Sequence, residues 1–133
     1  MNVEIFAICD AATVSSGKLN ILGAFDTVSA ASFPTRHDNC TIACRLRGEV
    51  EEGEGAMRLE MRIIDPDGRA VIEPVSNEIQ GRGGLQHHLW HIHGFEIPQP
   101  GTFFVDLLVD GRLLSRLPVH ILKIPQRGLP HLS

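Results

Sequence analysis

Large aromatic side chains and long apolar runs are scarce in this sequence of 133 residues. It has no tyrosine and one tryptophan. Few rings are therefore present on which a sugar would stack, which disfavours a lectin-like role. No apolar run approaches the roughly 20 residues that cross a bilayer, so no membrane segment is expected. The length is typical of one domain that folds without a disulfide or metal staple.

Basic residues and cysteines are also few. Acidic residues outnumber basic ones by 16 to 12, for a formal net charge of −4, which excludes the basic footprint of a nucleic-acid binder. The three cysteines, Cys9, Cys40 and Cys44, are odd in number and irregularly spaced, and the first ten residues lack the basic and apolar regions of a signal peptide. We expect a reduced, cytoplasmic protein without nucleic-acid or membrane partners.

The strongest periodic signal in the chain is strand-like alternation. Met57 to Ile63 alternates apolar and polar residues throughout, and no segment has a helical period with caps. Short strands separated by glycine and proline turns predict an all-β fold, an antiparallel two-sheet β-sandwich of about eight strands, with a small closed barrel as the alternative. We expect one domain over residues 1–123 and a flexible tail over residues 124–133.

Turn residues predict three hairpins. They are Ser15 to Gly17 between Val3–Ala12 and Lys18–Val28, Asp65 to Gly68 between Met57–Ile63 and Arg69–Pro74, and Asp110-Gly111 between Thr102–Val109 and Arg112–Ile121. Gly23, inside a run, indicates a bulge or a close backbone approach. Ser76 to Gly84 is expected to form at most a short edge strand, His87 to Ile97 one strand, and Glu49 to Gly55 an acidic hairpin loop.

The register of the third hairpin can be argued from burial. A two-residue loop would pair Val105 with Arg116 and put charge into the core, whereas a three-residue loop, Val109 to Gly111, pairs Phe103 with Leu117 and Leu107 with Leu113. We therefore predict the longer loop. The inner face then carries the following residues: Phe103, Val105, Leu107, Leu113, Leu117, Val119 and Ile121.

Three stretches of the chain resemble a known family. They are CDAATVSSGKLNILGAFDTV, IIDPDGRAV and IPQPGTFFVDLLVDG. Together they resemble a family of small bacterial β-sandwich proteins known only as a domain of unknown function. The resemblance extends over nearly the whole chain and implies a β-sandwich with no assigned activity. It carries no catalytic residues over to this sequence.

The run HHLWHIH is the sharpest anomaly in composition. In an extended strand His87, His91 and His93 share one face, and Trp90 lies on the opposite face, which we expect to be the core side. Three outward imidazoles suggest a site for zinc or another divalent transition metal. Additional donors are Glu78, Glu96, Cys40 and Cys44. A plain polar strand face and a pH-sensitive contact with a partner are the alternatives.

The second face of the third hairpin is apolar at Phe104, Leu108 and Leu114, which suggests a covering partner. Our leading hypothesis is therefore a non-enzymatic cytoplasmic binding or assembly module without a cofactor. It predicts a homodimer that forms through these three residues, and an unidentified protein partner is a further expectation. The alternative is a metal-binding protein or metal-dependent enzyme that uses His87, His91 and His93 around an activated water.

Overall fold

A computed structural model describes residues 1–48, 55–80 and 83–125 of the chain. Within these ranges every regular element is a β-strand, and there is no helix long and apolar enough to cross a membrane. The strands are β1 (Asn2–Ser15), β2 (Lys18–Phe25), β3 (Thr27–Ala30), β4 (Thr35–His37), β5 (Cys40–Gly48), β6 (Ala56–Ile64), β7 (Val75–Gln80), β8 (Gly84–Ile92), β9 (Phe95–Ile97), β10 (Gly101–Val109) and β11 (Arg112–Lys123).

The strands form two main sheets and a short ribbon. Sheet A has the order β2-β1-β5-β8, sheet B has the order β3-β11-β10-β6-β7, and β4 pairs with β9. The predicted all-β sandwich is confirmed. The number of strands was underestimated because β3, β4 and β9 are only three or four residues long, too short to show alternation. One pair, β3 with β11, is parallel.

An apolar layer between the two sheets is the core. Its centre is formed by alternate side chains of β5 and β10, each at most 2% exposed: Cys40, Ile42, Cys44, Leu46, Phe103, Val105 and Leu107. Burial of a large aliphatic or aromatic side chain contributes about 1.5–3 kcal/mol, so this layer is the main source of stability. Both strands occupy interior positions of their sheets.

The first hairpin is confirmed, but its second strand is shorter than predicted. Ser16 and Gly17 both have positive φ, +51° and +71°, as a two-residue type I′ turn requires. The expected run Lys18–Val28 is divided at Asp26, whose carbonyl accepts a 2.7 Å hydrogen bond from His120 N. The residues after Asp26 form β3 and cross to sheet B.

The third hairpin corrects our predicted register. Val109 pairs with Arg112, so the loop is the two-residue Asp110-Gly111, and a bulge between Leu107 and Leu108 shifts the pairing beyond it. Phe103 therefore lies opposite Val119, and Leu107 opposite Ser115, instead of the predicted Leu117 and Leu113. The bulge removes the objection to the short loop, because it places Arg116 opposite Asp106 and away from Val105.

Five of the seven residues predicted on the inner face of that hairpin are buried despite the shift in register, and Leu117 is partly buried. Phe103, Val105, Leu107, Val119 and Ile121 are buried as predicted, whereas Leu113 is 48% exposed. Asp106, also buried, accepts two 2.8 Å hydrogen bonds from the Arg116 guanidinium, which lies 4.8 Å from the centre of the Phe104 ring. The polar pair and the ring thus cover the outer side of β10.

The second hairpin returns later than predicted. Asp65 Oδ1 accepts hydrogen bonds from the backbone N–H groups of Asp67 and Arg69, which fixes the turn. The segment Arg69 to Pro74 then makes only one isolated bridge, between Ala70 and Ile64. On the side of β6 away from β10, the pairing strand is β7, which lies at the edge of sheet B. The sequence predicted at most a short edge strand over these residues.

The predicted strand His87 to Ile97 is broken in two. Gly94 has a φ of +109° and separates β8 from β9. A Cβ at Gly94 would lie 2.5 Å from an Arg36 guanidinium nitrogen, so this backbone passes directly over that side chain. The break sends β9 away from sheet A to pair with β4.

Two predicted segments fall largely outside the described residues. These are positions 49–54 of the acidic loop predicted at Glu49 to Gly55 and positions 126–133 of the tail. At the start of the predicted tail, Ile124 N donates a 3.0 Å hydrogen bond to Ala30 O. The backbone tie to β3 therefore extends one residue past β11.

Gly23 provides a test of the first hairpin. Its φ is +68°, and a Cβ there would overlap the Asp10 carboxylate, so the close neighbour is a side chain and not the backbone approach expected from sequence. We predict that Gly23→Ala lowers the free energy of unfolding by more than the roughly 1 kcal/mol typical of a strained backbone position, as measured in urea. Gly17→Ala is the matched control, because Gly17 has a similar φ of +71° and open space around it. Equal losses in the two variants would contradict the proposed clash.

Candidate functional site

The inward face of β8 belongs to the core. Trp90 and Ile92 are buried, as predicted, and His88 lies half-buried beside them with its ring stacked on Trp90 at a centroid distance of 6.2 Å. A His88 ring nitrogen is 3.2 Å from Gln86 Oε1. Burial, and secondarily the neighbouring His87, lower the pKa of His88, so the ring is held in its neutral form.

The three histidines proposed as metal ligands do not converge on one point. His87 lies opposite Arg45 and His91 opposite Thr41 on the outer face of sheet A. Two residues four positions apart on an extended strand are separated by about 13 Å, which is far beyond a shared coordination sphere. His93 lies past the end of β8. Within the described ranges, no three histidine, cysteine, aspartate or glutamate side chains are grouped closely enough to hold a metal ion.

The additional donors are also dispersed. Cys40 and Cys44 point into the core, where burial raises the pKa of Cys40 to about 11 and that of Cys44 to about 12. Glu78 lies on β7 of sheet B, and Glu96 on β9 of the ribbon. The thiols are therefore protonated structural side chains at neutral pH, and the carboxylates lie on other sheets than the histidines.

One polar recess brings two of the proposed residues together. It has a volume of about 200 Å³ and is lined by His91 and His93 with Asp10, Asn39 and Thr41, among others. His91 Nδ1 lies 3.1 Å from Thr41 Oγ1, which orients the ring. The recess collects one carboxylate and two imidazoles, but without the spacing of a metal site.

The three residues proposed as a dimer interface do not form one exposed patch. Leu114 packs against the core cluster, and Leu108 is only 7% exposed. Phe104 is partly covered by the Arg116 guanidinium. Little apolar area of this trio is left for a partner, although Leu113 beside them is exposed.

The edges of the two sheets differ in how they are protected against pairing with other chains. Proteins protect edge strands by shortness, by charge, by proline or by local twisting. Edge strand β3 has only four residues, β7 follows Pro74 and carries Glu78, and β2 begins with Lys18 and contains the left-handed Gly23. Each of these three edges therefore has at least one protective feature.

The fourth edge, β8, is neither short nor charged and has no proline, and its one positive-φ glycine, Gly84 (φ +107°), is its first residue. It is nine residues long, its sequence GLQHHLWHI has no proline, lysine, arginine, aspartate or glutamate, and in the described chain only β5 pairs with it. Leu85 near its start is 40% exposed. An extended edge of this length with free backbone groups on one side is a template for an added strand.

A groove runs beside this edge, where the side of the sandwich is open. It has a volume of about 480 Å³ and is lined by residues of β7 and β8 that include Glu78, Gln80, Leu85, Gln86 and His88. Two hydrogen bonds of 2.9 Å join the strands on either side, from Trp90 Nε1 to Asn77 Oδ1 and from Gln86 Nε2 to Gln80 O. The groove is thus a fixed feature next to the free edge of β8.

The fold defines the class of protein as a small two-sheet β-sandwich domain. Within the described ranges, the β8 edge is long and carries no charged residue or proline. The chain matches the Family of unknown function (DUF6941) over residues 4–122 and belongs to that family. No curated protein matches the sequence.

Two solved structures are similar to this chain to different degrees. A Pseudomonas fluorescens alkylpurine DNA glycosylase, AlkC, bound to DNA that contains an abasic site analog aligns with a TM-score of 0.59 at 12% identity. The alignment covers 90% of this chain but only 30% of the glycosylase, so the chain spans less than a third of that protein. An immunoglobulin-like protein from Pseudomonas aeruginosa aligns over 90% of this chain and 94% of its own, at 16% identity and a TM-score of 0.37. At 12% identity the similarity to the glycosylase shows the fold alone.

Sequence reasoning found the histidine strand but missed its place in the sheet. Edge position depends on strand order, which a single sequence does not specify. The sequence feature that could have drawn attention to this strand is its lack of charged residues from Gly84 to Ile92. The strand Met57 to Ile63, by contrast, is charged at its outward positions. The groove was not foreseeable, because it depends on the distance between two sheets.

The buried thiols give a chemical test of the fold. Burial is the main cause that raises the pKa of Cys9, Cys40 and Cys44. Because the thiolate is the reactive form, we predict negligible alkylation by iodoacetamide at pH 8 in native buffer and three labelled sites per chain after unfolding in urea. Intact-mass measurement counts the labels. Stoichiometric labelling of Cys40 or Cys44 in the native protein would contradict the placement of these thiols in the core.

The half-buried His88 predicts a loss of stability in acid. In the unfolded chain the His88 imidazole binds a proton near pH 6.5, whereas in the folded chain its pKa is lower. The free energy of unfolding therefore falls as pH drops below about 6.5, by at most about 1.4 kcal/mol per pH unit. We predict that His88→Gln reduces this slope between pH 7 and pH 5 in urea unfolding. His93→Gln is the control, because His93 is exposed. Identical slopes for the wild type and His88→Gln would contradict the prediction.

Proposed function

We propose that this chain is a non-enzymatic cytoplasmic binding module that works by strand addition, in which an extended segment of a partner pairs with the free edge of β8. The observation that carries the proposal is the contrast among the four edges of sheets A and B in the described chain. Three have a charge, a preceding proline or very short length, and β8 has none of these. Three buried cysteines without disulfides support the cytoplasmic location.

Strand addition divides affinity and specificity between backbone and side chains. The added segment forms main-chain hydrogen bonds with β8, which any sequence can make. Its alternate side chains then point to opposite faces of sheet A. On the inward side they enter the groove beside Gln86 and His88, and on the outward side they lie next to His87, Leu89 and His91.

The β8 edge is preferred over the two surfaces that the sequence suggested. The trio Phe104, Leu108 and Leu114 is largely covered within the chain, and the three histidines lack a common coordination point. A nucleic-acid partner is disfavoured by the net charge of −4, since phosphate recognition depends on clustered cations. Similarity to part of a DNA glycosylase concerns the fold and does not alter this argument.

The proposal is tested by selecting extended ten-residue peptides from a displayed random library on the immobilised protein, at a density that keeps copies apart. We expect binders whose affinity falls at least about tenfold in Leu85→Lys, because a lysine on the edge is the device that natural edges use against added strands. Leu22→Lys is the matched control: Leu22 is 70% exposed on β2, the other edge of sheet A.

Circular dichroism and thermal unfolding establish that both lysine variants remain folded. Peptides that bind the two variants equally well, or that lose affinity only in Leu22→Lys, would contradict the assignment of β8. Selection of no binding peptide would overturn strand addition by an external segment.

A further inference from the structure

We infer that the segment which pairs with β8 is the β8 strand of a second copy of this chain, in an antiparallel arrangement about Leu89. This inference rests on the proposed function and adds to it the identity of the partner. The product would be a homodimer in which the two A sheets form one continuous eight-stranded sheet, twice the four strands of sheet A. The dimer interface predicted from sequence is thereby transferred from sheet B to sheet A.

Symmetry limits the registers available to such a dimer. In a continuous antiparallel sheet, residues directly opposite each other point to the same face. A two-fold axis perpendicular to the sheet must therefore pass between one residue of β8 and the same residue of the second copy. That residue is the centre of the pairing. The candidates near the middle of Gly84–Ile92 are His88, Leu89 and Trp90.

Side-chain pairing favours Leu89 as the central residue. On the outward face, the order His87, Leu89, His91 is the same in both directions, so each His87 lies opposite His91 of the partner subunit. On the inward face, each His88 lies opposite Trp90 of the partner subunit and extends the stacked pair already present within one chain. A centre at His88 would instead place Gln86 opposite Trp90 of the partner subunit and His87 opposite the partner's Leu89.

Charge also permits self-pairing at this edge. Like charges directly opposite each other destabilise a sheet, and any charged residue close to the two-fold axis would face a like charge or lie diagonal to one. β8 has no lysine, arginine, aspartate or glutamate. The cationic neighbours on β5 are Arg45 beside His87 and Arg47 beside Leu85, and their guanidinium groups are bound to Glu4 at 2.9 Å and 2.6 Å. On the other side, His91 faces Thr41 and the recess that contains Asp10 and His93.

Disulfide trapping tests both the partner and the register. Directly opposite residues in an antiparallel pair have Cα atoms about 4.5–5.5 Å apart, within the range of about 4.4–6.8 Å that a disulfide spans. We expect Leu89→Cys to form a covalent dimer under mild oxidation, at least about tenfold faster than Leu22→Cys on the opposite edge. Peptide mapping by mass spectrometry must find a disulfide between the two introduced cysteines, because Cys9, Cys40 and Cys44 are buried.

The wild-type protein is examined in parallel by sedimentation velocity across micromolar concentrations. A concentration-dependent dimer that Leu85→Lys weakens at least about tenfold, and Leu22→Lys leaves intact, supports the inference. A monomer at every concentration overturns it. Faster trapping of His88→Cys than of Leu89→Cys overturns the register centred on Leu89.

The two proposals fail separately. If selected peptides bind at β8 while the protein stays monomeric and Leu89→Cys does not cross-link, the second copy is wrong and strand addition stands. If Leu22→Cys cross-links as fast as Leu89→Cys, the trapped dimer comes from random collisions, and the inference falls.

Discussion

The apolar layer between the two sheets is the constraint on which the rest of the structure depends. Ile42, Cys44 and Leu46 of β5 belong to the same buried cluster as Phe103, Val105 and Leu107 of β10. Because two open sheets pack face to face, the sandwich necessarily ends in strand edges. How each edge is protected then decides where another chain can add. In this molecule β8 is a long edge strand of sheet A that has no charged residue and no proline.

The fold was predictable where one face of a strand is buried and the other is not. Met57 to Ile63 alternates, and its buried positions follow the predicted parity. In β5, by contrast, Thr41 and Ala43 are buried on the face opposite Ile42 and Cys44. The register of the third hairpin was wrong because a bulge at Leu107 and Leu108 resets the pairing, and bulges leave no reliable mark in composition. Burial identified the inner residues Phe103, Val105 and Leu107 of β10 correctly, but the bulge moves Leu113 opposite Leu108, and Leu113 is exposed.

The histidines show the difference between a shared face and a shared site. His87 and His91 lie on one face, as the period of a strand requires, but a strand also spaces them too widely for one metal ion. The property of β8 that matters is what its histidines replace. They stand in a strand without lysine, arginine, aspartate or glutamate, whereas the edge strands β2 and β7 carry Lys18 and Glu78.

The most direct test of the account is hydrogen–deuterium exchange of the β8 amides, compared with the β2 amides, as protein concentration rises through the micromolar range. Both strands are edges of the same sheet, so they serve as an internal comparison. The account predicts that protection of Gly84–Ile92 increases with concentration while that of Lys18–Phe25 stays constant. Protection of β8 that does not change with concentration, or an increase at β2 alone, would contradict it.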